Sequence, residues 1–268
     1  MKVGRVDLDR TLGCGQVFRW SKDGGWWKGV ISNRVVKLRK RGTSIEVIGD
    51  IDEAALMSYF RADDDLDRIV REISKDDHMA QLVKRFDGLR LIRQDPWECA
   101  SAFTLATYAS IPRIEGMIEN VCRTFGHEIA GGSYSFPRPE EILENEEGAK
   151  QCNLGFRCRR FVEFARRVER SDLDFDRLKQ MEYRDCVEEL KRFEGVGDKV
   201  ADCIALFSLD HLEAFPIDVR IKRAMERLYS LSGSYKKMSE SAREYFGRYA
   251  GYAQEYIFIS EKRDKENA

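Results

Sequence analysis

Lys199 follows Glu194-Gly195-Val196-Gly197-Asp198, and Asp218 comes nineteen residues later within Phe215-Pro216-Ile217-Asp218-Val219. A primary amine and a carboxylate at that separation can attack an electrophilic carbon together. The amine forms a Schiff base, and the carboxylate steadies positive charge on a sugar as its base departs. Lys199 falls in the first turn of a helix, whose positive end disfavours an ammonium and favours the free amine. Cys203, four residues on, shares its flank and puts Lys199 at the border of the buried side. Both residues have plainer explanations. A lysine is commonly just solvated, and Asp218 stands where an N-cap belongs, ahead of a helix with Ile221, Met225 and Leu228 inward. Capping a helix and facing a cavity are compatible roles.

The elements that would position these groups can be read on either side. Tyr183, Val187 and Leu190 give one helix an apolar stripe, and Val200, Cys203, Ile204 and Phe207 give the next its own. The connection Glu194-Gly195-Val196-Gly197 is very short, with glycines where positive φ is expected. Two helices joined by such a hairpin present the N–H groups of Gly195, Val196, Gly197 and the following turn to a phosphate. That grip holds one DNA strand by its backbone and reads no sequence.

Farther back, residues 1–49 alternate short β-type runs with turns: Val17–Trp20, Trp26–Ile31, Val35–Leu38 and Ile45–Ile48, the last pair separated by Gly42-Thr43. From Ile51 the pattern becomes helical. Asp52 caps one helix, Asp64 to Ile73 forms a second, and an apolar helix runs from Trp97 to about Tyr108. Pro112 opens another, and Gly131 to Pro139 is a loop. The expected fold class is α+β. An N-terminal antiparallel sheet domain with flanking helices (residues 1–75) precedes a mostly helical body (residues 76–268), with a cleft between two helical subdomains.

At 268 residues, 43% hydrophobic and 35% charged, the chain reads as globular and charge-rich. Its apolar runs fall far short of the roughly 18 residues of a membrane span. The opening segment lacks the apolar core of a secretory signal, so an intracellular protein without membrane attachment is expected. The seven cysteines form no CxxC and no zinc-finger spacing, which points to reduced thiols; none lies beyond 203 to build a C-terminal iron–sulfur cluster. The three histidines show no metal spacing, and the HxE…PCxxC signature of zinc deaminases is missing. Net charge is −1, but residues 1–41 carry eleven Lys or Arg against three acids, and Phe156–Arg170 holds six arginines against two glutamates. Such patches are usually solvated faces, and become a DNA footprint only beside a motif.

The run from Gly195 through Cys203, with Phe215 to Val219, resembles the 8-oxoguanine DNA glycosylase/AP lyase family of helix-hairpin-helix glycosylases. The likeness continues through Gly13–Trp20, Leu91–Gly126, Leu154–Val168 and Tyr249–Phe258. The resemblance implies a bifunctional base-excision repair enzyme acting on duplex DNA that contains 8-oxoguanine. Lys199 would be its nucleophile at C1′ and Asp218 its electrostatic partner. Gly15, in Gly15-Gln16-Val17-Phe18, would offer its carbonyl to the N7–H that oxidised guanine has and guanine lacks. Cys203 and Phe258 would sandwich the flipped base, with Phe18 beside it and Gln254 on its hydrogen-bonding edge. Phe156 would fill the gap in the stack, while Arg113 and Arg157 face the orphaned base. An asparagine tract that reads the opposite cytosine in the family is replaced by Tyr108, Ala109 and Ser110, which implies looser reading of that base. Position 194, commonly proline, is Glu194. The family resemblance also implies a monomer without cofactor, whose hairpin carbonyls of Lys191, Phe193 and Val196 can seat a structural cation.

Two other readings stay open at this level. A non-enzymatic hairpin module would grip DNA without needing Lys199 and Asp218. A monofunctional alkylbase glycosylase would rely on the aspartate alone.

Overall fold

The computed structural model describes residues 4–42 and 44–266. Short alternating strands near the N-terminus form a four-stranded antiparallel sheet in sequential order: β1 (Trp20–Asp23), β2 (Trp26–Ile31), β3 (Arg34–Arg41) and β4 (Ser44–Ile48). The first strand begins later than the run Val17–Trp20 suggests. Val17 and Phe18 are buried but lie outside the strand: Phe18 lines a cleft, and Val17 joins the apolar cluster of the sheet. Trp20 lies opposite Gly29, and a Cβ at Gly29 would stand 2.3 Å from the indole, so the glycine makes room for the ring. Thr43, expected in the β3–β4 turn, lies outside the described residues.

Helices α1 (Leu8–Leu12) and α2 (Glu53–Tyr59), each capped by an aspartate, cover the sheet. Leu12, Trp27, Val36, Leu38, Leu56 and Phe60 form an apolar cluster separate from the larger one behind it. Leu66, Ile69 and Ile73 of α3 (Leu66–Ile73) pack into that larger cluster, with the helices that follow.

The helical body continues through α4 (Asp77–Arg85), α5 (Pro96–Leu105), α6 (Ile111–Phe125), α7 (Pro139–Leu143), α8 (Cys158–Glu169) and α9 (Phe175–Gln180). It ends with α10 (Tyr183–Leu190), α11 (Asp198–Ser208), α12 (Val219–Tyr229), α13 (Tyr235–Phe246) and α14 (Ala250–Glu266). A small ribbon, β5 (Glu128–Ala130) with β6 (Ser133–Tyr134), occupies the loop region before Pro139. Helix α11 is apolar almost all round, with residues 200 to 208 buried, and packs on α5 and α10. It is therefore a fixed internal post.

Asp210, just beyond the end of α11, ties this post to the N-terminal part. It pairs with Arg61 at 2.6 Å, Lys179 at 2.6 Å and Arg93 at 3.0 Å. Burial pushes its carboxyl up, but Arg61, Lys179 and Arg93 overcome that and hold it well below the usual carboxylate range. No helix among the described residues is long and apolar enough to cross a membrane.

Candidate active site

Lys199 and Asp218 meet across one cleft of about 970 Å³, lined as well by Gly15, Phe18, Cys203, Gln254 and Phe258. Every residue that the sequence assigns to the amine, the carboxylate and the base pocket is thus brought together from four separate segments. Lys199 is half-buried, with Nζ 5.0 Å from the centre of the Phe103 ring. Phe103 in turn stacks on Phe207 and meets Phe18 edge-on, so the lysine lies against a rigid aromatic wall. Cys203 is buried, one turn along α11. Burial pushes its thiol up to about 11, while the neighbouring Lys199 pulls the other way.

Asp218 is both a cap and a cleft residue. Its Oδ1 accepts the N–H groups of Arg220 at 2.9 Å and Ile221 at 2.8 Å, which leaves Oδ2 outside the cap. The cap fixes the carboxylate at the start of α12, and α12 packs on α14, which carries Gln254 and Phe258.

Gly15 has φ +113, in the region that only glycine enters easily, and an added Cβ would lie 2.9 Å from Ile111 Cδ1. The loop around it is held from three sides. Gln16, buried, donates from Nε2 to the Thr11 and Arg90 carbonyls at 2.9 Å each and accepts the Ile92 N–H at 2.8 Å. Gln94 donates to the Gln16 carbonyl at 2.8 Å, and Lys262 to the Gly13 carbonyl at 2.7 Å. Gln254 is nearly inaccessible, and its Oε1 has no hydrogen-bond partner among the described residues. A buried unpaired amide oxygen in a cleft wall is one that a ligand can satisfy.

The residues expected to face DNA outside the pocket form a second group. Phe156 is 57% exposed on a short turn before α8, and Arg113 is exposed in the first turn of α6. Arg157 departs from expectation. Its guanidinium is buried, donates from Nε to the Thr107 carbonyl at 2.9 Å, also reaches the Leu154 carbonyl, and lies 4.3 Å over the Phe156 ring. Burial, with the charges of Arg113 and Arg160, lowers its pKa from the usual arginine value. Here it braces the backbone at Thr107 and Leu154.

The hairpin also needs correcting in part. Gly195 has positive φ (+93), but Gly197 has φ −92, and a Cβ at Gly197 would meet nothing within 4 Å. Gly197 is exposed, so its contribution is open space before the helix start. The Val196 N–H is spent on the Phe193 carbonyl at 3.0 Å and its side chain is buried, so Val196 shapes the turn from inside. The arginine tract is largely paired. Glu194 binds Arg159 and Arg160, Arg166 binds Glu146 and Glu163, and Arg167 binds Asp172. Lys191 pairs with Asp198 at 2.7 Å.

Three features escape the sequence reading. Arg220 and Arg223 line the cleft, two and five residues after Asp218. Asp202, three residues after Lys199, is buried and accepts from Tyr183 and Tyr235 hydroxyls at 2.5 Å each. The Tyr235 hydroxyl also accepts the Ile217 N–H at 3.3 Å, immediately before Asp218. Burial pushes the Asp202 carboxyl up to about 6, against the two tyrosine hydrogen bonds. The Lys199 helix is thereby linked to the segment that presents Asp218. The only sequence signal was a carboxylate on the apolar stripe of α11.

Known proteins carry the same arrangement of elements. A family model described as the 8-oxoguanine DNA glycosylase N-terminal domain matches residues 1–100. An Arabidopsis thaliana N-glycosylase/DNA lyase is 29% identical over 96% of this chain and 77% of its own length. A Saccharomyces cerevisiae N-glycosylase/DNA lyase is 31% identical over 77% of this chain and 65% of its own. The Clostridium acetobutylicum 8-oxoguanine glycosylase/lyase, solved with DNA containing cytosine opposite the lesion, is 33% identical, with a TM-score of 0.92 over 97% of this chain and 93% of that one. With a fold and sequence match of that extent, the chain belongs to the 8-oxoguanine DNA glycosylase/lyase family.

Proposed function

We propose that this chain excises 8-oxoguanine from duplex DNA and then cleaves the strand, with Lys199 as the nucleophile. The observation that carries the reading is the meeting of Lys199 and Asp218 in a cleft large enough for a base, walled by Gly15, Cys203, Gln254 and Phe258. The target base must leave the helix, because C1′ and N7 cannot be reached inside the stack. The Lys199 amine forms a bond to C1′ while the C1′–N9 bond breaks, and its electron pair and a proton leave with the base. Asp218 Oδ2 offsets the positive charge that develops on the sugar. Loss of the amine proton opens the sugar to a Schiff base. Removal of a C2′ proton then expels the 3′ phosphate.

The Gly15 carbonyl accepts N7–H from oxidised guanine and meets a lone pair on guanine, a contrast worth about 1–3 kcal/mol in a dry pocket. Cys203 and Phe258 enclose the ring, Phe18 backs it, and Gln254 completes its hydrogen bonding. Arg220 and Arg223 supply positive charge beside the cleft. Gly195 and Gly197 leave the hairpin open to a phosphate, Phe156 enters the vacated stack, and Arg113 lies near the opposite strand. Arg157 reaches that strand only by releasing the Thr107 carbonyl. The Lys191, Phe193 and Val196 carbonyls would seat a structural cation at the hairpin, with the Phe193 oxygen shared with the Val196 N–H. Tyr108 is 93% exposed at φ +54, so reading of the opposite base rests on an aromatic surface in place of amides.

Borohydride reduction during reaction with an 8-oxoguanine duplex tests the nucleophile. The wild-type chain is expected to form a covalent DNA adduct. Lys199→Gln should form none and lose excision on the order of a thousandfold or more. An adduct of undiminished yield from Lys199→Gln would move the chemistry to another amine.

A further inference from the structure

Glu255 is a carboxyl group that the mechanism above does not use. It is 2% exposed and lines the cleft with Gly15, Lys199 and Gln254. One of its oxygens, Oε1, has no hydrogen-bond partner among the described residues. A buried acid with an unanswered oxygen is costly unless a ligand meets it. Its place is set by one face of α14, where Glu255, Phe258 and Lys262 follow at helical spacing. All three work on the same loop. Lys262 donates to the Gly13 carbonyl at 2.7 Å, Phe258 lies 3.7 Å from where a Gly15 Cβ would be, and Glu255 meets the Cys14 thiol. The acid therefore flanks the residue whose carbonyl reads the lesion.

We propose that Glu255 is a specificity-determining residue, a second acceptor that presents its unpartnered oxygen to the N–H groups of the flipped base. The proposal rests on the function argued above. An ionised carboxylate has only acceptors; oxidised guanine shares its N1–H and amine donors with guanine and differs at N7, the edge beside which the Gly15 loop places Glu255. It favours that base and opposes a ring that turns a lone pair toward it. Among the described residues, the charged or titratable groups that act on Glu255 include Cys14 from the loop, Lys262 on its own helix, Asp218 at the start of α12 and Lys199 on α11. Burial pushes its carboxyl up to about 7, with Asp218 adding to the rise and Lys262 and Lys199 opposing it. Its acceptor character thus grows as pH rises through neutrality.

The test is equilibrium binding to three duplexes that differ at one position: 8-oxoguanine on a cleavage-resistant 2′-fluoro sugar, guanine on the same sugar, and a tetrahydrofuran abasic analogue. Glu255→Gln should weaken binding of the 8-oxoguanine duplex about tenfold, and the abasic duplex much less. The wild-type preference for 8-oxoguanine over guanine should strengthen from about pH 6 to about pH 8, around the Glu255 ionisation, and Glu255→Gln should flatten that change. Equal weakening on all three duplexes would make Glu255 a brace for the Cys14 loop and overturn the proposal, as would wild-type affinities and pH profile in the variant. A wild-type chain with no preference for 8-oxoguanine would instead remove the function on which the proposal stands.

Discussion

The inner wall of the cleft and its outer rim are built on opposite principles. On the wall, the groups that would meet a base are set before any ligand arrives. Gln16 uses both ends of its amide to hold the Gly15 loop, the helix cap fixes Asp218, and Lys199 stands on a buried helix against Phe103. On the rim, Phe156 and Tyr108 project into solvent, and Arg157 is occupied with a backbone carbonyl. The contrast follows from what each must recognise. Chemistry at one carbon gains from fixed dipoles that need no reorganisation. A strand that must be opened and bent meets a surface whose partners exist only after the DNA deforms.

The sharpest way to break this division is at Asp218. Asparagine also caps helices well, so Asp218→Asn should leave the start of α12 and the melting temperature nearly unchanged. It removes the charge that offsets the sugar cation, and single-turnover excision should fall on the order of a hundredfold with little change in lesion binding. Loss of binding in proportion to rate would mean that the wall is not prearranged but assembled by that charge.

A smaller effect is expected at Gly15, where the comparison can be sharpened. Gly15→Ala must adopt φ +113 and crowd Ile111, a strain of about 1–3 kcal/mol. The side chain would displace the carbonyl from the base, so discrimination between 8-oxoguanine and guanine should fall about tenfold, while the abasic duplex stays well bound. Trimming Ile111 to alanine relieves the contact but not the backbone strain. Recovery of discrimination in the double variant would assign the fault to crowding, and no recovery would assign it to the backbone.

The wall was also far more legible in the sequence than the rim. Lys199 and Cys203 sit four residues apart near the start of α11 and Asp218 just before α12, where spacing alone indicates which side chains share a flank. Gly15, Gln254 and Phe258 came only through the family resemblance, since a loop glycine and two residues of a helix buried all round carry no period of their own. The β1 boundary was missed because burial at Val17 and Phe18 does not require their backbone to pair in the sheet. The burial of Arg157 was hidden for a related reason. A run of arginines shows charge, but not that Glu194 and Glu146 return from other segments, with Asp172 close by, to neutralise much of it. Asp202 and Glu255 were invisible because a carboxylate in a sequence looks solvated until its tertiary neighbours are known.

On the rim itself, Phe156 offers the mildest test. Its ring is exposed and carries the Arg157 guanidinium at 4.3 Å, so Phe156→Ala removes little core packing and should leave thermal stability within about 0.5 kcal/mol of wild type. If the ring enters the gap left by the flipped base, its loss removes a stacking surface worth about 1–3 kcal/mol. Binding to a lesion duplex should then weaken about tenfold, and Phe156→Trp should restore it because a larger π-face stacks as well. Unfolding and binding measured on the same preparations decide the matter. A large loss of stability would show that Phe156 and Arg157 already form a structural unit without DNA, which would move this part of the rim to the prearranged side. Unchanged binding with unchanged stability would leave Tyr108 as the aromatic that occupies the gap.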